Sequence, residues 1–201
     1  MKENQEYKVL ARKYRPQRFT DLIGQTSLVS ILSNAILNNR IAHAYVLTGV
    51  RGVGKTTTAR LIAMSLNCQK REIKDCEPCG GCDSCISIRE DRNLDVIEID
   101  AASKTGVDDI REIIDNVKYK PISSSFKIFI IDEVHMLSKN AFNALLKTLE
   151  EPPEHVKFIF ATTEVKKIPI TILSRCQRFD LHRIENKELA LHLNNISELE
   201  K

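Results

Sequence analysis

The stretch Gly49-Val50-Arg51-Gly52-Val53-Gly54-Lys55-Thr56 constrains this 201-residue chain more than any other. It satisfies G-x-x-x-x-G-K-[ST] at every fixed position, follows an apolar run at Tyr45 to Thr48 and leads straight into a helical pattern. Strand, glycine loop, helix is the context a phosphate loop requires. Glycines let consecutive backbone N–H groups converge on phosphate oxygens, and the helix N-terminus adds partial positive charge. The loop and Thr57 behind it are therefore expected to cradle ATP, with Lys55 reaching the β- and γ-phosphates and the Thr56 hydroxyl ligating Mg²⁺.

Ile128 to Ile131 is a second apolar run, and it ends in Asp132-Glu133. An acidic pair after a strand is by itself weak evidence. Downstream of a phosphate loop it fits the other half of an ATP site, in which Asp132 holds Mg²⁺ and Glu133 orients and polarises the attacking water. The presence of Glu133 favours hydrolysis over mere binding.

Five segments read as buried strands: Tyr45 to Thr48, Leu94 to Ile99, Phe126 to Ile131, Val156 to Phe160 and Cys176 to Leu181. Helical patterns separate them. Thr56 to Leu66 has Ala59, Ile62, Ala63 and Leu66 on one face, and Asp108 to Val117 has Ile110, Ile113, Ile114 and Val117 behind an acidic first turn. Ser138 is placed to cap a helix whose stripe is Phe142, Leu145, Leu146 and Leu149 and which stops at Pro152-Pro153. Strands alternating with helices imply parallel pairing through crossovers, hence a three-layer α/β domain of the parallel-sheet P-loop NTPase kind.

Composition bounds the remaining classes. Thirty Lys+Arg against twenty-seven Asp+Glu leave a net charge of +3, too small to argue nucleic-acid binding from the global balance. The longest apolar runs are far too short to span a membrane, and the first twenty residues lack the apolar core of a secretory signal. A soluble, cytoplasmic chain with no membrane partner is the expectation.

Five of the six cysteines fall between Cys68 and Cys85, while Cys176 stands alone and reads as a small buried residue. Such clustering suits a metal site better than a disulfide framework. Cys79, Cys82 and Cys85 with either Cys68 or Cys76 supply the four thiolates that tetrahedral Zn²⁺ needs, and spacing alone leaves that choice open. The run also resembles the C-x₂-C-x₂-C-x₃-C-P of iron–sulfur proteins, but the final gap differs and the proline is missing.

With these residues placed, the chain resembles the N-terminal part of the bacterial DNA polymerase III tau/gamma subunits, the motors of the replicative clamp loader, in the AAA+ superfamily. The resemblance covers nearly the whole chain. It rests on Leu10-Ala11-Arg12-Lys13-Tyr14-Arg15-Pro16, Ile23-Gly24-Gln25, the phosphate loop, Asp132 to Leu137, Phe142 to Pro153, Ala161-Thr162-Thr163 and Ser174-Arg175-Cys176.

The resemblance implies further roles. Ala11, Arg12, Tyr14, Arg15, Pro16, Ile23 and Gly24 should lie against adenine and ribose. Thr163 should sense the γ-phosphate or its water, and Arg175 should be an arginine finger that serves the ATP of a neighbouring subunit. The family's cysteine pattern assigns Cys68, Cys79, Cys82 and Cys85 as the zinc ligands and leaves Cys76 spare. Implied partners are the other clamp-loader subunits in a hetero-oligomeric ring, the sliding clamp, and primed DNA held through its backbone by Lys104 and Lys147.

Residues 1–181 are expected to form the AAA+ core, with the zinc insertion near 68–85. Glu188 to Leu199, with Leu189, Leu193, Ile196 and Leu199 at three/four spacing, is expected to begin a helical lid within 182–201, although it could fold back on the core. A regulatory nucleotide-binding module and a branch-migration motor are the rival readings. Glu133 and Arg175 weigh against the first, and the cysteine run with Ser174-Arg175-Cys176 against the second.

Overall fold

The structure, a computed structural model, describes residues 9–72, 75–103 and 106–200. In chain order its elements are α1 (Leu10–Lys13), α2 (Thr26–Leu37), β1 (Ala44–Thr48), α3 (Lys55–Asn67), α4 (Asp83–Arg89), β2 (Val96–Asp100), α5 (Val107–Val117), β3 (Lys127–Asp132), α6 (Lys139–Glu150), β4 (Val156–Thr162), α7 (Ile170–Leu173), β5 (Gln177–Asp180) and α8 (Asn186–Leu199). A short 3₁₀ turn covers Phe19–Asp21.

All five strands pair in parallel in the order β2-β3-β4-β1-β5. Successive side chains of a strand point to opposite faces, and the core divides accordingly. Tyr45, Leu47, Ile128, Ile130 and Ile159 join α2, α3 and α4 in one buried cluster. Ala44, Val46, Phe129, Ile131, Phe158 and Phe160 join α5, α6 and α7 in the other. The result is the expected three layers, with β1, β3 and β4 buried on both faces and correspondingly unbroken in apolar character.

The expected helices form, with Ser138 Oγ accepting from Ala141 N–H at 3.2 Å to cap α6. β2 starts two residues later than the apolar pattern suggests. Leu94 is 71 % exposed, and next to it Asp95 is fully buried. The Asp95 carboxylate accepts from the N–H groups of Ile122, Ser123 and Ser124 at 2.7 to 2.9 Å, which ties the edge of the sheet to the loop before β3. Burial acts to raise the Asp95 carboxyl, but these donors outweigh it and hold it below the usual carboxylate range. α4, inside the cysteine run, is too short for periodicity to reveal.

α8 carries the least expected arrangement. None of its residues is buried, and the face turned to the rest of the chain is Glu188, Leu191, His192, Asn195, Ile196 and Leu199. The predicted stripe is therefore rotated: Leu191 lines the cavity and Leu193 does not, although both are exposed. Glu200, just beyond α8, accepts from Lys13 Nζ at 2.5 Å and Tyr14 O–H at 2.6 Å, so the end of the helix returns to α1.

Candidate nucleotide and metal sites

β1, β3 and β4 end level with one another, with Thr48 beside Thr162 and Ile131 beside Phe160. The carboxyl ends of strands beside a topological switch are where open parallel sheets bind ligands. The 49–56 loop leaves β1 at this edge. Gly49 has φ +147° there, and a Cβ would come within 2.7 Å of the Leu181 carbonyl oxygen. Gly54, with φ +97°, turns the chain into α3, so Lys55 and Thr56 open a helix of thirteen residues.

Lys55 is 6 % exposed and its Nζ donates to the carbonyls of Gly49 and Val50 at 3.0 and 3.1 Å. Burial holds its ammonium below the ordinary lysine range, against the opposing pull of Glu133 and Asp132. Thr56 Oγ1 donates to Asp132 Oδ2 at 2.5 Å, joining the phosphate loop to the end of β3. Glu133 follows with φ +46°, a left-handed conformation that is costly for a side-chain-bearing residue. Its carboxylate accepts from Thr163 Oγ1 at 3.1 Å.

The residues from the two acidic and sensor positions are thus brought together. His135, to which the sequence reading assigned no role, joins them. Its Nδ1 lies 3.0 Å from Thr162 Oγ1 and 3.4 Å from Glu133 Oε2, and its Nε2 lies 3.4 Å from Glu164 Oε1. The i+2 spacing from Glu133 gave no hint of this, because a 3₁₀ turn at Val134–Met136 folds His135 back.

Beside the loop are two connected openings. A cavity of about 810 Å³ is lined by Tyr14, Arg15, Pro16 and Ile23 on one side and by the inner face of α8 on the other. A smaller one of about 220 Å³ is lined by Pro16, Ile23, Gly52, Val53, Gly54, Thr57, Ile184 and His192. Four of the seven residues expected at the base therefore line these openings. Ala11 and Arg12 sit on α1, exposed and outside the lining. Gly24 is also outside it, its α-carbon facing Ile184 and Glu188. The α8 residues were missed because their approach spans the whole chain and leaves no local pattern.

Arg175 stands apart from this cluster. Its guanidinium donates to Glu150 Oε1 at 2.6 Å and to the Thr171 carbonyl at 2.6 Å, on the turn between α7 and β5. Arg51 and Lys147 are exposed, and Lys104 lies outside the described residues. Cys176 is half-buried, and burial pushes its thiol up to about 12.

At the other end of α3, Cys68 closes the helix. The sulfurs of Cys68, Cys79, Cys82 and Cys85 all lie within 4.8 Å of one another, and Cys68 and Cys82 are 4.0 Å apart. Four thiolates around a tetrahedral zinc are separated by about 3.8 Å, so the set fits such an ion with little movement. Backbone N–H groups of Cys79, Cys82 and Cys85 point at the sulfurs of Cys68, Cys79 and Cys82 at 3.3, 3.3 and 3.5 Å.

Burial acts to raise the Cys82 thiol, but N–H groups of Cys85 and Gln69 with neighbouring thiols outweigh it and bring it to about 6. Burial raises Cys68 and Cys85. Cys76 is excluded from the group, its thiol donating to Ser33 Oγ at 2.9 Å. Of the two cysteines that spacing left open, Cys68 is the one whose sulfur lies in the cluster.

Comparison with known proteins agrees with this architecture. The family model described as DNA polymerase III, delta subunit, matches residues 24–185. The tau/gamma subunit of Haemophilus influenzae is 53 % identical over 190 residues, covering 94 % of this chain and 27 % of that protein. The tau subunit of Bacillus subtilis is 52 % identical over 195 residues, covering 97 % of this chain and 34 % of its own length. The chain thus spans about a third or less of these curated relatives.

Among solved structures, the RuvB Holliday junction branch migration motor of Thermotoga maritima matches with a TM-score of 0.58 at 20 % identity, over 88 % of this chain and 51 % of that one. A DNA polymerase III gamma subunit-related protein from the same organism matches with a TM-score of 0.51 at 23 % identity, over 81 % and 47 %. These two likenesses show the fold alone. The match over residues 24–185, with the tau/gamma likeness along nearly the whole chain, places this P-loop NTPase domain in the DNA polymerase III subunit family.

Proposed function

We propose that the chain is the ATP-binding and hydrolysing motor part of a DNA polymerase III clamp loader, which uses ATP to place a sliding clamp on primed DNA. The observation that carries this reading is the convergence of Lys55, Thr56, Asp132, Glu133 and Thr163 at the carboxyl ends of three adjacent strands.

In this reading the 49–57 loop holds the phosphates by its backbone, and Lys55 swings from the loop carbonyls to the β- and γ-oxygens. Thr56 and Asp132 hold Mg²⁺, which supplies charge neutralisation on the phosphates. Glu133 orients the attacking water, with Thr163 fixing its carboxylate and reading the γ-phosphate. Tyr14, Arg15, Pro16 and Ile23 receive the base, and α8, as the beginning of a lid over residues 182–201, closes on it.

Arg175 acts on the ATP of a neighbouring subunit, where a guanidinium stabilises the charge of the transferred phosphoryl group. In this chain its guanidinium bonds Glu150 and the Thr171 carbonyl and no residue of the phosphate loop, which is consistent with that role. The four clustered cysteines hold a structural zinc with no open coordination position, and so no chemistry of its own. Primed DNA contacts the backbone-binding lysines of the assembled ring, Lys147 among them. Such a machine works in the cytoplasm.

The test is ATP turnover by the assembled loader with clamp and primed DNA. Glu133→Gln is expected to keep ATP binding and lower turnover at least about a hundredfold. Arg175→Ala is expected to lower it about a thousandfold or more, and only in the assembly. The isolated chain should be nearly inactive. Unchanged turnover in both variants would instead favour a regulatory nucleotide-binding module.

A further inference from the structure

The cysteine insertion and the openings beside the phosphate loop share a wall. Glu77 lies in the Cys76-Glu77-Pro78-Cys79 stretch, and its carboxylate accepts two backbone hydrogen bonds, from Phe19 N–H at 2.7 Å and Thr20 N–H at 3.0 Å. These two donors open the 3₁₀ turn at Phe19–Asp21 and have no partner within it. A carboxylate that accepts from two backbone N–H groups is among the stronger polar contacts a protein makes.

Further ties run alongside. Arg89 Nη1 donates to Gln17 Oε1 at 2.9 Å, and the Cys76 thiol donates to Ser33 Oγ. The Phe19 side chain, 1 % exposed, belongs to the same buried cluster as Cys76, Cys82, Cys85 and Ile88. The segment held in this way is the one that forms the base side of the cavities. Pro16, Gln17, Thr20 and Asp21 line the larger, and Pro16 and Asp21 also line the smaller beside Gly52 to Gly54.

We propose that Glu77 is a positioning residue that makes the cysteine insertion the back wall of the base pocket, so that metal loading at the four cysteines and adenine-nucleotide binding favour one another. The inference rests on the ATP-binding reading above. An ion that fixes Cys79 also fixes Glu77 two residues before it, and Glu77 fixes Phe19 and Thr20. Coupling of this kind is reciprocal by linkage. The phosphate loop itself, residues 49–56, makes none of these contacts; the insertion reaches only the far end of α3, where Ser65 Oγ donates to the Cys76 carbonyl and Cys68 joins the thiol group.

That asymmetry supplies the test. Dissociation constants for ADP and for inorganic tripolyphosphate are measured in magnesium buffer for the zinc-loaded chain, the metal-stripped chain, Glu77→Ala and Arg89→Met. Glu77→Ala is expected to weaken ADP about tenfold and to change tripolyphosphate less than about twofold. Arg89→Met should weaken ADP about two- to threefold, with the same selectivity.

Stripping the metal should weaken ADP in the parent chain and add little in Glu77→Ala, as expected for two changes acting through one contact. Unchanged ADP affinity in Glu77→Ala overturns the proposal, as does an equal loss for ADP and tripolyphosphate, which would mean a general loss of structure. If the zinc-loaded parent binds neither compound, the ATP-binding reading itself falls and this inference with it.

Discussion

At the N-terminal end of α3 the candidate ligand groups are backbone N–H groups of a loop with positive-φ glycines at 49, 52 and 54, whereas at its C-terminal end they are four thiols from Cys68, Cys79, Cys82 and Cys85. Thirteen residues of one helix separate the two. The first site is prepared by the sheet. Gly49 packs against Leu181, and Asp132 reaches Thr56 from β3, so the loop keeps its shape through contacts with the core. The second site draws three of its four donors from a stretch with one short helix and no strand, and in the zinc-site reading an ion would supply much of that stretch's order. In that reading the N-terminal end is held by the apolar core alone, whereas the C-terminal end adds metal–sulfur bonds to its packing of Cys82, Cys85 and Ile88.

Removal of the metal is the strongest challenge to this contrast. Stripping zinc with a competing chelator is expected to lower Tm by more than about 10 °C, read by calorimetry with the released zinc measured in parallel. Retention of the same Tm after complete zinc loss would show that the insertion is held by its packing alone.

Lys55→Ala should do the opposite at the other end. ATP binding is expected to weaken about a hundredfold, since charge-assisted contacts to phosphate are lost, while Tm stays level or rises because a buried, desolvated cation is gone. Isothermal titration and a melting curve read both effects, and a fall in Tm would mean that Lys55 is part of the scaffold.

Asn67 sharpens the comparison, because it anchors the metal end of α3 without the metal. Its side chain is 2 % exposed, donating to the Phe126 carbonyl and accepting from the Phe126 N–H, both at 2.9 Å. Asn67→Ala is expected to cost about 2–3 kcal/mol in chemical denaturation, with zinc content unchanged. Loss of zinc in that variant would show that α3 and the cysteine group stand or fall together.

The smallest effect is expected from Cys76→Ser. With Cys76 paired to Ser33 and outside the thiol group, zinc stoichiometry should stay at one per chain and stability should fall by about 1 kcal/mol. Cys68→Ser, by contrast, should lose most of the metal. The reverse result would return Cys76 to the ligand set.

How much of this could be read from residues alone follows the same division. The phosphate loop, Asp132, the Ser138 cap and the stripes of α3, α5 and α6 were legible because each is set by neighbours within one turn or one strand. The choice of Cys68 over Cys76 was not. Five cysteines at similar spacing supply more thiols than a tetrahedral ion takes, and only the turn of the chain after α3 decides which sulfurs converge. His135 was hidden for a related reason, since a single 3₁₀ turn converts a position beside the strand into one facing Glu133 and Glu164.

Sequence by itself determined the alternation of strand and helix, the glycine loop and the acidic pair, because backbone geometry and binary pattern are local properties. Tertiary structure decided where α8 lies, which face it turns inward, and that Glu77 reaches Phe19 and Thr20. Those contacts join residues 57 or more positions apart, and Lys13 meets Glu200 across 187. No local periodicity encodes such distances; they are set by how the sheet stacks its layers and by which polar groups are left to pair once the core has closed.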